Sequence, residues 1–448
     1  MKNISIFGTS SDAGKSTITF VIARILQDMG YDVAPFKAQN VSNNSHVCDD
    51  GKEIAIAQYF QADVLNIETS YHLNPVLLKS GRGSSASLIV EGEVVQNKDV
   101  REYYRDLDVL KPAVDRCFNY LDDKYDCLVC EGAGSPVELN LMDKDLSNIY
   151  IADNFNTKII LVADIQKGGV FASIWGVYNL LPEKLRKNII GVIINKFQGD
   201  MSLFDEGVKI IEERFGIPVL GVLPYMPFNL GFEDSASLKN FTQNCSKATK
   251  KVAVIAYPYM SNYNDFEPLI ADTDICLEFV SSNVSLDKFD EVILPGSKLV
   301  IKDLLWLKET GLFEQLKTRQ KSITGICGGY QMMFENIIDE LCIETAVPTK
   351  ESGLGFIDDN IIFMKDKILK KQLYKVFKND CEGFEIHHGI SKKYPLEFQK
   401  NNIKGTFVHG FYNDEKFQIY KKKTIDEFIS VMKTKLDVSK IYETILDK

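Results

Sequence analysis

The 448-residue sequence predicts an α/β protein made of two parallel-sheet halves. Three observations carry that reading. Short apolar runs alternate with helically spaced stretches. A polar segment interrupts the alternation, which then restarts. Each half also contains a strand–turn–helix junction bearing chemically capable residues. In the first half the expected strands are Ile4–Phe7, Val33–Phe36, Cys127–Cys130, Ile159–Ala163, Ile189–Ile194 and Val219–Leu223, with helices such as Ser16–Met29, Ile54–Asn66 and Leu203–Phe215. Strands that are apolar on both faces and separated by helices are those of a covered parallel sheet. Residues 232–251 are polar, without a strong period, and read as a linker. Strands resume at Val252–Ala256, Glu291–Leu294, Ser322–Ile326 and Thr406–Val408. The expected division is therefore 1–231, a linker at 232–251, and 252–448, the last closed by an amphipathic surface helix after Asp414.

Composition bounds the function. Hydrophobic residues make up 45% and charged residues 25%, as in a globular protein with full cores. Lys plus Arg number 52 against 62 Asp plus Glu, a formal charge of −10, which argues against a nucleic-acid partner. An anionic ligand must then find a locally basic pocket. No apolar run reaches the roughly 18 residues of a membrane span, and the N-terminus lacks a signal-peptide core, so the reading is cytoplasmic, with no membrane partner. Nine cysteines, an odd number, read as buried thiols in a reducing compartment. The CxxC pair Cys127 and Cys130 lies on a strand, where residues three apart face opposite ways and cannot easily share a metal.

The first strand runs into Gly8-Thr9-Ser10-Ser11-Asp12-Ala13-Gly14-Lys15-Ser16-Thr17 and then an apolar helix. This is a phosphate loop with one residue more than usual between its glycines. The backbone N–H groups before the helix face a phosphate, Lys15 reaches the outer phosphates, and the Ser16 hydroxyl can ligate Mg2+. A magnesium site also needs a carboxylate at a neighbouring strand end. Glu131 is favoured over Asp164. Asn195-Lys196-Phe197-Gln198 lacks the acid that reads guanine, so adenine is expected, with Asn195 in hydrogen-bonding reach of the base.

In the second half, Gly325-Ile326-Cys327-Gly328-Gly329 joins a strand to a helix expected over 329–334. It is a nucleophile turn with sulfur in place of serine oxygen. Proximity to a helix start favours the thiolate. The backbone N–H of Gly328, with the Pro295-Gly296-Ser297 loop as second donor through Gly296, would form an oxyanion hole. Among five histidines, His409 is the expected base, at the end of an apolar strand. His387 and His388 are adjacent and read as facing opposite ways.

These motifs carry a resemblance. The second half resembles a class I glutamine amidotransferase domain, and the first is similar to the dethiobiotin synthetase-like ATP-binding fold. Their fusion in this order resembles the cobyric acid synthase family. Supporting stretches include Pro35–Ser42, Glu53–Gln58, Asn74–Lys79, Glu131–Pro136, Gly168–Ser173, Ser261-Asn262 with Asp265-Phe266, and Glu385-Ile386-His387. The resemblance implies ATP and Mg2+ as cofactors. It also implies a corrinoid carboxylic acid, glutamine and ATP as small-molecule partners, and substrate contacts from Lys37, Gln39, Asn40, Ser42 and Gln58. Phosphorylation of the b, d, e and g carboxylates of adenosyl-cobyrinic acid a,c-diamide would be followed by attack of ammonia released from glutamine. Two departures stand out. Gln166-Lys167 replaces an acid followed by arginine, and position 411 is Phe where many amidotransferases carry the glutamate that orients histidine. Glu385 is expected to take its place. Two other readings stay open: an a,c-diamide synthase, or a ParA-like ATPase switch with an inactive glutaminase half. Self-association is also open.

Overall fold

The computed structural model describes residues 1–80, 85–99, 107–231, 243 and 245–446. Most of the expected linker, 232–242 and 244, lies outside the described residues.

The first half is built on β1 (Ile4–Gly8), β2 (Val33–Phe36), β3 (Cys127–Glu131), β4 (Lys158–Asp164), β5 (Ile189–Phe197) and β6 (Val219–Pro224). All pair in parallel, in the order β6-β5-β4-β1-β3-β2. Alternation along each strand divides the core. Ile4, Ile6, Ile160 and Val162 pack on helix Lys15–Asp28, whereas Phe7, Ile159, Leu161 and Ala163 pack on helices Val170–Leu180 and Asp205–Phe215. Cys127 and Cys130 fall in separate clusters on opposite faces, and burial pushes both thiols far up, Cys127 to about 12. They are core residues. The expected helix at 54–66 starts later. Glu53–Ala55 is extended and pairs with Ser45–Val47, and the helix is Ile56–Val64. Leu203–Phe215 likewise opens as a tight turn, with the helix proper beginning at Asp205.

The second sheet comprises β7 (Lys250–Ile255), β8 (Ile275–Val280), β9 (Glu291–Leu294), β10 (Ser322–Ile326), β11 (Glu397–Lys400) and β12 (Ile403–Thr406), in the order β8-β7-β9-β10-β12-β11. Only the edge strand β11 is antiparallel. The last strand therefore ends at Thr406, and His409 stands in the loop beyond it. The helix after Cys327 is a single turn, Gly328–Gln331, followed by a strand at Phe334–Asp339.

Two features were not expected from the sequence. One is a long hairpin, Ile357–Val376 with Asn379–Ile390, turned at Phe377 and Lys378, both with positive φ (47° and 73°). It reaches the first half: Lys367 pairs with Glu53 (2.6 Å) and Lys371 with Asp49 (2.6 Å). The other is a disulfide between Cys245 and Cys276, where nine thiols were expected; the remaining seven cysteines form no disulfide.

The closing helix also differs from expectation. Asp414 caps helix Glu415–Lys433 by accepting from the Phe417 N–H (2.7 Å). Its apolar stripe, Phe417, Ile425, Phe428, Ile429 and Met432, packs into the core of the first half with Phe20, Phe60 and Leu220. Leu436 then bridges Gly221 on β6, and the Lys2 N–H donates to the Ile445 carbonyl (2.8 Å). The chain thus returns to cover the face on which helix 15–28 lies. The ring of Phe428 is 4.6 Å from Phe228 and 6.1 Å from Phe20, centroid to centroid. Phe428→Ala is expected to cost about 3–5 kcal/mol and to expose helix 15–28 to amide hydrogen exchange. Unchanged exchange there would show that the closing helix does not support the first half.

Candidate active site

The phosphate loop leaves β1 at Gly8 and enters the helix at Lys15. Gly14 has φ 99°, and a Cβ there would lie 2.2 Å from the Asn195 amide nitrogen, so a side chain is excluded. Asn195 donates from Nδ2 to the Ala13 carbonyl (2.9 Å), so its amide N–H braces the loop. Lys196 donates to the Asp12 carbonyl (2.5 Å) and pairs with Asp164 (3.0 Å), while the Thr9 N–H donates to Val162 on β4 (2.9 Å). Thr17 and Ser16 border a small apolar cavity of about 50 Å³ with Phe20, Phe60, Gln61 and Phe228.

Glu131, at the end of β3, is 1% exposed and gathers this end of the molecule. Its Oε1 accepts from Ser16 Oγ and Lys37 Nζ, each at 2.7 Å. Its Oε2 accepts from Gln61 Nε2 (2.6 Å) and Gln58 Nε2 (3.3 Å). Asn40 Nδ2 in turn donates to Gln58 Oε1 (3.2 Å). Three of the five expected substrate contacts, Lys37, Asn40 and Gln58, are thus spent within the protein. Gln39 exchanges backbone hydrogen bonds with Ser147 Oγ (both 3.1 Å), and Ser42 Oγ accepts from the Asn44 N–H (3.1 Å). Gln61 was missed in the sequence, although it lies one helical turn beyond Gln58. Ser16 and Glu131 thus lie side by side at the start of the helix. Among the described residues no group of three or more His, Cys, Asp or Glu side chains could hold a metal.

The second centre is built on the turn after β10. Cys327 has φ 48° and ψ −104°, a strained conformation that lifts its side chain out of the strand, and its Sγ lies 3.7 Å from the Ile386 carbonyl. A Cβ on Gly329 would sit 2.0 Å from the Leu294 carbonyl oxygen, so only glycine lets the turn close on β9. A Cβ on Gly328 would lie 2.6 Å from the Ser297 nitrogen, which puts the two expected oxyanion-hole loops, at Gly328 and Gly296, against each other.

His409 is fully buried. Its Nδ1 bonds Asp265 Oδ2 (2.7 Å), and Asp265 Oδ1 accepts from the Gly410 N–H (2.9 Å). The structure therefore replaces Glu385 with Asp265 as the group that orients the imidazole. Glu385 instead accepts from Tyr374 Oη (2.9 Å) and meets His387 (3.2 Å). Burial pushes the His409 imidazole pKa down, but the charges of Asp265 and Cys327 outweigh it and raise it to about 10. Asp265 was quoted in a motif yet given no role, because 144 residues separate it from His409.

The first half completes this centre. Asn262, in the left-handed region at φ 59°, opens the short turn that carries Asp265. Its N–H donates to Asn44 Oδ1 (2.6 Å) and its Nδ2 to the Ser45 carbonyl (2.8 Å). His46 stacks between Tyr59 (3.4 Å) and Phe384 (3.8 Å), and Phe384 stacks on His409 (5.0 Å). Behind them, buried Glu53 holds both Lys79 (2.8 Å) and Lys367 (2.6 Å).

An imidazole whose pKa is raised to about 10 keeps its proton across the neutral range. Asp265→Asn removes the charge that raises His409, so the variant's imidazole should lose its proton at a lower pH than the wild-type ring, read by NMR pH titration of the His409 ring. An identical pH profile in the variant would rule out Asp265 as the source of the raised pKa.

Comparison with known proteins agrees with this two-centre architecture. Residues 4–229 match the family described as CobQ/CobB/MinD/ParA nucleotide binding domain, and residues 251–417 match the CobB/CobQ-like glutamine amidotransferase domain. Cobyric acid synthase of Acinetobacter baylyi is 64% identical, with 100% of both chains covered. The Clostridium kluyveri cobyric acid synthase is 36% identical over 99% of this chain and 98% of its own. That of Anoxybacillus flavithermus is 39% identical over 92% and 86%. Full-length similarity that spans both centres places the chain in the cobyric acid synthase family.

Proposed function

We propose that this chain amidates the b, d, e and g side-chain carboxylates of adenosyl-cobyrinic acid a,c-diamide to give adenosyl-cobyric acid, with ATP as activator and glutamine as nitrogen source. The observation that carries the reading is a single segment, residues 37–45, that connects the two centres. Lys37 holds Glu131 beside the phosphate loop, and Asn44 with Ser45 holds the loop that orients His409. As a family member the chain is a glutamine-hydrolysing carbon–nitrogen ligase. We assign activation to residues 1–231 with the closing helices, and glutamine hydrolysis to the residues between 252 and 414, and we place the protein in the cytoplasm.

A carboxylate is a poor electrophile, so it must first gain a leaving group. The loop N–H groups and Lys15 draw the γ-phosphoryl group of ATP toward the substrate carboxylate, which forms an acyl phosphate as ADP departs. Ser16 and Glu131 are the residues that would hold magnesium. The ion, when bound, neutralises charge on the transferring phosphoryl group. At the other centre Cys327 Sγ attacks the side-chain carbonyl of glutamine, and the N–H groups of Gly328 and Gly296 hold the oxyanion. His409 gives its proton to the departing nitrogen, and Asp265 keeps that proton available until transfer. Water then releases glutamate from the thioester. Ammonia attacks the acyl phosphate, and the amide forms as phosphate leaves. Asn43 and Lys79 of the first half line the cavity that contains Cys327, which supports a sheltered transfer.

Cys327→Ala should abolish glutamine-dependent amidation and glutamate release while ammonia-driven amidation survives. Lys15→Ala should lose both routes, because acyl phosphate cannot form; surviving ammonia-driven turnover would show the loop to be misassigned. Purified protein offered both corrinoid acids should leave cobyrinic acid unamidated at a and c, and amidation there would favour the a,c-diamide synthase reading instead. A protein that never releases glutamate would favour the ATPase switch.

A further inference from the structure

Glutamine reaches Cys327 as a zwitterion, so its site must answer a positive and a negative charge a few bonds from the reacting amide. A cavity of about 50 Å³ surrounds Cys327, and among its lining side chains are Ser297, Lys298, Glu344 and Lys367. Lys298, Glu344 and Lys367 also line a cleft of about 900 Å³ between the halves, so these residues stand where the cleft opens onto the thiol.

The charges here are not equivalent. Lys79 and Lys367 are both held by Glu53, at 2.8 and 2.6 Å. Lys298 makes no ion pair with a described carboxylate. Glu344 accepts from the backbone N–H of Ile301 (3.1 Å), and it and Lys298 attract each other across the cavity without forming an ion pair. Both positions are held rigidly. Asp339 accepts from the N–H groups of Ile343 (2.7 Å), Glu344 (2.9 Å) and Thr345 (2.9 Å), and so fixes the loop that presents Glu344. The Lys298 N–H donates to the Tyr259 carbonyl (2.9 Å), directly after the Gly296-Ser297 loop that abuts Gly328.

We propose that Glu344 and Lys298 recognise the amino-acid head of glutamine, with Glu344 taking the α-ammonium group and Lys298 the α-carboxylate. This rests on the glutamine-hydrolysing reading above. Burial works against each charge on its own, lowering the pKa of Lys298 and raising that of Glu344 to about 8. A zwitterion of matching polarity set between the two gives each a direct counter-charge at once. Ammonia, or an amide lacking the α-amino group, supplies neither or only one. The pair thereby selects the free amino acid over other amides that fit beside the thiol.

The test compares two reagents for Cys327 on the whole chain: 6-diazo-5-oxo-L-norleucine, which carries the amino-acid head, and iodoacetamide, which does not. Glu344→Gln keeps the hydrogen-bonding shape, and Lys298→Met keeps the volume. Each should slow labelling by the diazo-ketone about ten- to hundredfold while iodoacetamide labelling changes less than about twofold. In wild-type protein the kcat/KM for L-glutamine should exceed that for 4-carbamoylbutanoate, which lacks the α-amino group, and Glu344→Gln should narrow the ratio about tenfold or more. Unchanged diazo-ketone labelling, or an equal loss with both reagents, overturns the proposal. Wild-type protein that iodoacetamide labels but the diazo-ketone does not would overturn the glutamine reading itself.

Discussion

A carboxylate sealed from water must be surrounded by donors or it will not stay charged, and Glu131 organises the first half on that constraint. Its two oxygens take hydrogen bonds from Ser16, Lys37, Gln58 and Gln61. These come from the start of the phosphate-loop helix, the segment after β2, and one face of helix 56–64. Three elements distant in sequence are therefore drawn to the point where β1 and β3 end. The same arrangement sets the Ser16 hydroxyl against the Glu131 carboxyl at the start of the phosphate-loop helix.

The thiol centre obeys a related rule, with the first half supplying part of it. His409 keeps its proton because Asp265 faces Nδ1, and Asp265 is placed by a turn that Asn262 opens in a left-handed conformation. That conformation is supported by hydrogen bonds from Asn262 to Asn44 and Ser45, so the base in one half is oriented by the backbone of the other. Phe384, itself packed against His46, stacks on the His409 imidazole. Residues 37–45 thus make contacts at both centres.

The seam between the halves is polar where it matters. Glu53 binds Lys79 from its own half and Lys367 from the long hairpin, and the two lysines hold its carboxyl well below the usual range despite burial. Removing one partner of such a group costs about 3–5 kcal/mol, because it strands a charge away from water. Burial pushes Lys79 down to about 7 even with Glu53 beside it. The ions therefore hold the halves in register, while the apolar contact of Val47 with Phe384 and Ile386 fills the gap.

Local chemistry was written in the sequence. Short apolar runs marked the parallel strands, period-3.6 patterns marked the main helices, and glycine spacing marked the phosphate loop and the cysteine turn. All depend on neighbours along the chain, so they survive without a fold. Whatever depends on residues far apart was decided by tertiary structure. Asp265 meets His409 across 144 positions, and Asn262 meets Asn44 across 218. The lysine-rich strand Ile357–Val376 has no clean alternation because its two ends face different surroundings, and so it carried no readable period. The helix after Asp414 displayed its apolar stripe plainly. Which core that stripe would enter was settled by the return of the chain to β6, because amphipathicity states that a face must be buried and not against what.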